Sequence, residues 1–360
     1  MTTVTREHCN IDVIVKTLKG LENTVASYIS ELDESAIIEP KPKGFMGIVL
    51  VRNCKNKYEL AEKIKASIPE AEKVLVVEAC IKAEPEVIAK KAAEIAKGKI
   101  DPNETFAVRT VRRGSHNYTS IDVNVIVGDY VRKATNASVN LSYPDKVVAV
   151  EIFQDEATIS IYPGAEEYKK MKPGKRPVID ILSKMSIVQM PYLGPLDAAK
   201  TMGVRIGREV QTFEVRELVI SPIGLVDACQ LKTFLEGVFE GIESRYRIQI
   251  KSYARKVRKV PVYVQDLYQL VRSRFNEPII VFEPEGDYIA HKRKELKEML
   301  FNRKIKRINI LVGSREGIPS GLYRFADLVL DICPGVTIST DYAAASAIMA
   351  ILTVIGDSEV

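Results

Sequence analysis

From residue 187 onward, short apolar runs and longer amphipathic stretches take turns along the chain, and no other feature of the sequence narrows the fold as far. Candidate strands lie at residues 187–190, 218–220, 248–250, 279–282, 308–312 and 328–332. Candidate helices lie at 196–216, 226–245, 266–275, 291–301 and 343–354. Strands joined through helices pair in parallel, so this half is expected to be an α/β unit with a mostly parallel sheet. In such sheets ligands bind beyond the carboxyl ends of the strands, so the loops that follow strands are where chemistry is expected.

The first half is built differently. Shorter strands at 11–15, 47–51, 74–77, 106–112, 147–153 and 157–162 mix with helices at 21–32, 58–67, 85–97 and 121–133, an α+β pattern. Tyr162-Pro163-Gly164 breaks that pattern, and Lys172-Pro173-Gly174-Lys175-Arg176-Pro177 reads as a connector. At 360 residues the chain exceeds what one core supports. The expected layout is a small α+β unit over 1–70, a second over 71–165, a linker over 166–180 and the α/β domain over 181–360.

Composition excludes several classes. With 46% apolar and 28% charged residues the chain is a folded protein. It offers no uninterrupted apolar run of about 18 residues for a membrane span, and residues 1–8 lack the apolar core of a signal peptide, so a cytoplasmic protein is expected. Cys9, Cys54, Cys80, Cys229 and Cys333 lie far apart, with no C-x-x-C pair and no nearby histidine cluster. No metal site is expected, and the cysteines read as buried or inert thiols.

The net charge of +5 decides little, but its distribution is uneven. Between Arg245 and Val260 the cations Arg255, Lys256, Arg258 and Lys259, among others, stand without an acid and with Tyr246 and Tyr253 interleaved. That suits contact with a phosphate backbone, although a solvated cationic surface has the same look. In the first half, Arg109, Arg112, Arg113, Gly114, His116, Tyr118 and Thr119 crowd a strand end and a helix start. Thr119 and Asp122 have capping-box spacing, so the helix would open beside arginines, a place suited to a phosphate.

Three strand-ending loops carry the chemistry of the second half. The first holds Phe282, Glu283, Pro284, Glu285 and Gly286, and the second Val312, Gly313, Ser314, Arg315, Glu316, Gly317 and Ile318. The third holds Asp331, Ile332, Pro334, Gly335, Val336, Ile338, Thr340 and Ala343. Glycines let the main chain approach a ligand closely, and small residues at a helix start permit tight packing against it.

Two resemblances give these patterns a direction. Phe106-Ala107-Val108-Arg109, Arg112-Arg113-Gly114, His116, Tyr118-Thr119-Ser120, Asp122-Val123, Gly128, Val139-Asn140-Leu141, Pro144-Asp145 and Val150-Glu151-Ile152 together resemble a THUMP domain, with a small ferredoxin-like unit before it. The resemblance implies a module that holds the 3′ CCA end of tRNA, with Arg112, Arg113, His116, Tyr118 and Thr119 as RNA contacts. The three loops, in their order and place, resemble the cofactor loops of the SPOUT superfamily. That implies S-adenosyl-L-methionine held mainly by loop backbone, a C-terminal trefoil knot and a homodimer formed through this domain.

Taken together, the resemblances imply a tRNA methyltransferase acting on a ribose 2′-oxygen in the acceptor stem or near its D-arm junction. Arg315 and Glu316 would face the reacting ribose, with Arg205 in support from the domain's first helix, where Arg208 is a second candidate. Ribose-methylating SPOUT enzymes usually carry an Asn near the start of the last helix; here Ser339, Thr340 and Asp341 stand there, which leaves base methylation open. A Rossmann-type methylase would need an early G-x-G-x-G and an Asn/Asp-Pro-Pro-aromatic motif, a thiolating enzyme a P-loop-like motif, and a deaminase H-x-E with P-C-x-x-C. None occurs in the sequence. A non-catalytic RNA-binding adaptor is the alternative from a different class.

Overall fold

The computed structural model describes residues 10–356, so the segment 1–8 and Cys9 fall outside it. The chain divides into two compact units between Lys175 and Arg176.

In the first unit, β1 (Val13–Thr17), α1 (Glu22–Leu32), β2 (Ile37–Pro40), β3 (Ile48–Arg52), α2 (Lys57–Ser67) and β4 (Ala71–Val76) come first. They form a four-stranded antiparallel sheet of order β2-β3-β1-β4. Alternation along these strands sorts the core: Val13, Val15, Val49 and Val51 pack on Val25 and Ile29 of α1 and Leu60 and Ile64 of α2. Ile14, Ile48, Leu50 and Leu75 turn the other way, onto Val147, Ala149 and Phe153.

Those last residues belong to a five-stranded sheet built from β5 (Ala79–Lys82), α3 (Pro85–Ala96), β6 (Thr105–Arg113), α4 (Ser120–Thr135), β7 (Ser138–Val139), β8 (Lys146–Phe153) and β9 (Glu156–Pro163). Its order is β5-β9-β8-β6-β7, and α3 and α4 cover its other face through Ile88, Val123, Val127 and Val131. The strands of this unit not anticipated from sequence, β2, β5 and β7, are short edge strands with no fully buried residue, so no apolar run marks them, and the same is true of the edge strand at Val262–Val264 in the second unit.

The second unit contains α5 (Ile179–Leu182), β10 (Met185–Gln189), α6 (Leu196–Phe213), β11 (Glu217–Ile220), α7 (Ala228–Ser252), β12 (Val262–Val264), α8 (Leu267–Ser273), β13 (Ile279–Tyr288), α9 (Arg293–Phe301), β14 (Ile308–Val312), β15 (Leu328–Asp331) and α10 (Thr340–Ile355). Its six strands run parallel in the order β12-β11-β10-β14-β13-β15. One expectation fails: residues 248–250 are not a strand but the end of α7. Ile248 and Ile250 are exposed, while Gln249 between them is buried and donates to the Gln211 carbonyl at 3.0 Å. A three-residue Ile-Gln-Ile run fits either periodicity, and packing on α6 decides for the helix.

Helices α6 and α7 cross at very close range through glycines. A β-carbon at Gly203 or Gly207 would lie 2.2 Å from the carbonyl oxygen of Phe234 or Val238, and one at Gly237 2.2 Å from that of Lys200. Both helices pack on one side of the sheet with α10, on Ile187, Ile206, Val238, Ile310 and Ile348. The other side is covered by α8 and the turn that holds Leu322. Across β10, β11 and β14, buried Arg274 donates to Ser186 Oγ (2.9 Å), Glu217 Oε1 (2.9 Å) and Asn309 Oδ1 (2.8 Å), a polar node inside the unit.

Among the cysteines, Cys54, Cys229 and Cys333 are free, but Cys229 is exposed and Cys80 is disulfide-bonded. The expectation of buried or inert thiols therefore fails at Cys80, because spacing along a chain carries no record of which distant thiols approach.

Candidate functional site

The three strand-end loops meet around a cavity of about 270 Å³. Strand β13 leaves its register with β15 between Phe282 and Asp287, both of which face Leu330, so Glu283 to Gly286 bulge out of a strand rather than follow one. Phe282, Glu283, Pro284 and Glu285 form one wall, and Val312, Gly313, Ser314, Arg315, Glu316 and Gly317 a second. Asp331, Ile332, Val336, Ile338, Thr340 and Ala343 form the third, with Leu330 and Thr337, which the sequence did not single out.

Four expected residues stand outside this lining. A β-carbon on Gly286 would lie 2.4 Å from the Leu330 nitrogen, so this glycine serves the approach of β13 to β15. Ile318 is buried in the core on the α8 side. Pro334 and Gly335 lie in the turn closed by the Val336 N–H to the Cys333 carbonyl at 3.0 Å.

Loop geometry explains the glycines that remain. A β-carbon on Gly313 would fall 2.7 Å from Glu283 Oε1 and 2.8 Å from the Gly317 α-carbon, and Gly317 adopts a left-handed φ of +69°. The Glu283 carboxylate accepts the Ile318 N–H; burial holds its pKa above the usual carboxylate range, with Glu285 adding to the shift. Gln189, at the end of β10, donates to the carbonyls of Met190 (3.0 Å) and Gly313 (2.9 Å) and so pins the second loop. Ser314 Oγ, in the lining, is buried with no hydrogen-bond partner among the described residues, which is what a hydroxyl reserved for a polar ligand looks like.

Arg315 and Glu316 are exposed at the rim. The Arg315 guanidinium lies 5.7 Å from the ring centroid of Tyr192, a cation–π neighbour in a segment without any motif to announce it. Arg205 is not a free cation. It donates to Asp341 Oδ2 at 2.7 Å, while Ser339 Oγ donates to Asp341 Oδ1 at 2.8 Å, so Arg205 ties α6 to the start of α10. Burial opposes ionisation of Asp341, but Ser339 and Arg205 hold its pKa below the ordinary value. Arg208 turns to α7 and donates to Ser244 Oγ at 2.7 Å.

One turn beyond Arg205, the Glu209 carboxyl is pushed up to about 7, by burial first and by Asp341 second, with Arg205 opposing. One of its oxygens has no partner among the described residues. A carboxyl raised in the folded state is tolerated while neutral and costs stability as the pH climbs from its ordinary 4.5 to about 7. Discounted for partial exposure, the loss is on the order of 1–2 kcal/mol. Glu209→Gln is therefore expected to flatten thermal stability between about pH 5 and pH 8. Melting curves that keep the wild-type pH dependence would remove burial of this carboxyl as its cause.

In the first unit the basic cluster is largely occupied with its own loop. Arg113 pairs with buried Glu151 at 2.6 Å, and Lys16 binds the same carboxylate. Arg109 reaches Glu167 (3.3 Å) and the Leu141 carbonyl (2.7 Å), and Arg112 donates to the His116 carbonyl (3.3 Å). The His116 ring lies 2.7 Å from the Gln154 carbonyl, and the Tyr118 hydroxyl donates to the Ala83 carbonyl at 2.6 Å. Thr119 caps α4 in a capping box with Asp122, whose carboxylate accepts the Thr119 N–H at 2.7 Å; part of the anion seat expected there is filled by the protein itself.

Of the cationic stretch in the second unit, Arg255 pairs with Glu214, Arg258 with the carbonyls of Val215 and Arg216, and Lys259 with Glu243 at 2.6 Å. Lys256 is exposed without an acid partner among the described residues. Also among the described residues, no helix is long and apolar enough to cross a membrane, and no group of three or more His, Cys, Asp or Glu is placed to hold a metal ion.

A strand-rich unit followed by a parallel sheet whose end loops enclose a cavity defines a two-part protein with a candidate site in its second part. The chain belongs to the AF2226-like SPOUT RNA methylases fused to THUMP: that family's model matches residues 179–360, and a THUMP domain matches residues 82–162. An uncharacterized protein of Methanocaldococcus jannaschii is 42% identical over 340 residues, 94% of this chain and 92% of that one. The tRNA (guanine(6)-N2)-methyltransferase of the same organism is 40% identical over 68 residues, 17% of this chain and 18% of its own length. A tRNA sulfurtransferase of Vibrio vulnificus is 30% identical over 139 residues, covering 38% of this chain and 28% of the enzyme.

Proposed function

We propose that the chain is an S-adenosyl-L-methionine-dependent tRNA methyltransferase that modifies a ribose 2′-oxygen in the acceptor stem or near its D-arm junction. The observation that carries this reading is the convergence of three strand-end loops on one cavity, with an arginine and a glutamate exposed at its rim. The residues present suit the donor. Phe282, Val312, Ile332 and Ile338 supply apolar wall, Gly313 and Gly317 bring main chain close, and the unpaired Ser314 hydroxyl awaits a polar partner.

When bound, the donor supplies an electrophilic methyl group; the chain's own residues supply position and charge. The Arg315 guanidinium sits at the rim, where it holds the phosphate beside the target nucleotide and stabilises negative charge developing on the ribose oxygen. Glu316 orients that ribose. Arg205, through Asp341, keeps the start of α10 in place rather than meeting the substrate. Arg315→Ala is expected to lower single-turnover methyl transfer about 100-fold and leave donor affinity within about threefold. Full activity in that variant would take Arg315 out of the site.

The THUMP module, with a ferredoxin-like unit before it, would grip the 3′ CCA end through the segment from Arg109 to Thr119 and so set a fixed distance to the modified nucleotide. Homodimerisation through the second unit is supported by exposed Tyr342 and Met349 on α10 and exposed Leu196 at the start of α6. A C-terminal trefoil knot and a cytoplasmic location complete the reading. Mass spectrometry of tRNA treated with the protein and labelled donor tests it, a methyl on ribose being the expected result. The absence of an Asn at Ser339 to Asp341 favours a second reading, base methylation by the same pocket, which the same experiment would reveal as label on a base.

A further inference from the structure

The strand ends opposite the pocket carry a charge pattern that neither the pocket nor the core requires. Four neighbouring strands, β12-β11-β10-β14, begin just after cations: Arg258 and Lys259 before β12, Arg216 before β11, Lys184 before β10, and Lys306 and Arg307 before β14. The remaining two strands begin after acids instead, with Glu277 ahead of β13 and Asp327 ahead of β15.

These positions touch one another. Arg258 donates to the carbonyls of Val215 (2.7 Å) and Arg216, and Arg216 to that of Lys306 (3.2 Å). Lys184 Nζ donates to the carbonyls of Leu300 (2.9 Å) and Asn302 (3.0 Å). Six cations thus form a ridge along the starts of four adjacent strands.

Three of the acids nearby are already engaged, while exposed Asp180 faces Lys184 without an ion pair among the described residues. Glu214 is taken by Arg255, Glu217 by Arg274 and Arg307, and Glu277 by Arg307. Four exposed cations, Lys256, Arg303, Lys304 and Lys306, have no acid partner among the described residues. Burial and the charge of Lys306 hold the pKa of Lys184 below the usual lysine range. Like charges gathered in this way repel in the isolated chain, and a bound polyanion offsets the repulsion. With strands about 4.8 Å apart, three intervals span roughly 14 Å, the axial length of about four phosphates on one nucleic-acid strand.

We propose that this ridge is an RNA-backbone seat of the methylase unit, at the end of the sheet away from the pocket. The proposal rests on the RNA-methylase reading and goes beyond it: it moves the contact from the stretch at Arg255–Lys259 to a line crossing four strands, and assigns its free charges to Lys256 and the segment 303–306. A row of cations one strand apart follows a phosphate backbone; an anionic lipid surface is the other polyanion such charge could meet.

The full chain carrying Lys256→Ala, Arg303→Ala, Lys304→Ala and Lys306→Ala together tests the ridge. Its affinity for a fluorescent RNA hairpin is measured by anisotropy across a range of salt, and its donor binding and melting temperature are recorded alongside. Expected are an affinity loss of at least about tenfold near 0.1 M salt and a log–log salt slope shallower by about 2–3, with donor binding and melting unchanged. Exchanging Lys for Arg, and Arg for Lys, at the same four positions should keep wild-type affinity. Wild-type RNA affinity and slope in the alanine variant overturn the ridge alone, as does a loss seen only on phosphatidylserine vesicles. A wild-type chain that binds no RNA hairpin overturns the methylase reading and the ridge with it.

Discussion

Gly313→Val is expected to abolish donor binding and leave the fold nearly untouched. The new side chain would start 2.7 Å from the Glu283 carboxylate and 2.8 Å from the Gly317 α-carbon, and the second of these is main chain that cannot rotate away. The second loop must then move into or off the cavity, and a loss of about 100-fold or more in affinity is expected, roughly 3 kcal/mol. Gly313 has an ordinary φ and lies past the end of β14, so the substitution should shift the melting temperature by only a degree or two. Calorimetry with the donor and a thermal melt check both halves; normal binding in this variant would mean that the donor sits elsewhere.

Gly207→Leu should do the reverse and damage the fold before it touches the chemistry. Its β-carbon would lie 2.2 Å from the Val238 carbonyl, and main chain lines the opposing helix at Gly203, Gly237 and Gly241 as well, so α6 and α7 can accept it only by separating along their length. A cost of at least about 3 kcal/mol follows, on the order of 10 °C for a unit of this size. Gly321→Ala is the control: nothing lies within 4 Å of its β-carbon position, and a change within about 0.5 kcal/mol is expected. Similar melting temperatures for the two variants would show that the close crossing is not needed.

What could be read from the sequence follows the range of the interactions involved. The second unit's parallel architecture was legible because β10, β13 and β14 are apolar runs buried on both faces, flanked by helical periodicity. Most of the pocket lining was legible because it follows the ends of strands, and Gly313 and Gly317 after β14 have a local cause. The Arg205–Asp341 link, the seat of Arg315 over Tyr192 and the occupation of Arg113 by Glu151 were not, since each joins residues far apart in sequence. The same holds for the end of α7, where Gln249 is placed by Gln211 on another helix. Charge showed a further limit: the stretch from Arg255 to Lys259 looked free in one dimension, yet Glu214 and Glu243 reach most of it in three.

The blister in β13 separates two tasks that a sheet normally couples. Residues on either side of it stay hydrogen-bonded to the same neighbour, so the sheet's register does not depend on how long or how shaped the blister is. Changes confined to Glu283, Pro284 and Glu285 can therefore reshape one wall of the cavity while the scaffold stays in step, a route to altering its shape that leaves the sheet's register alone.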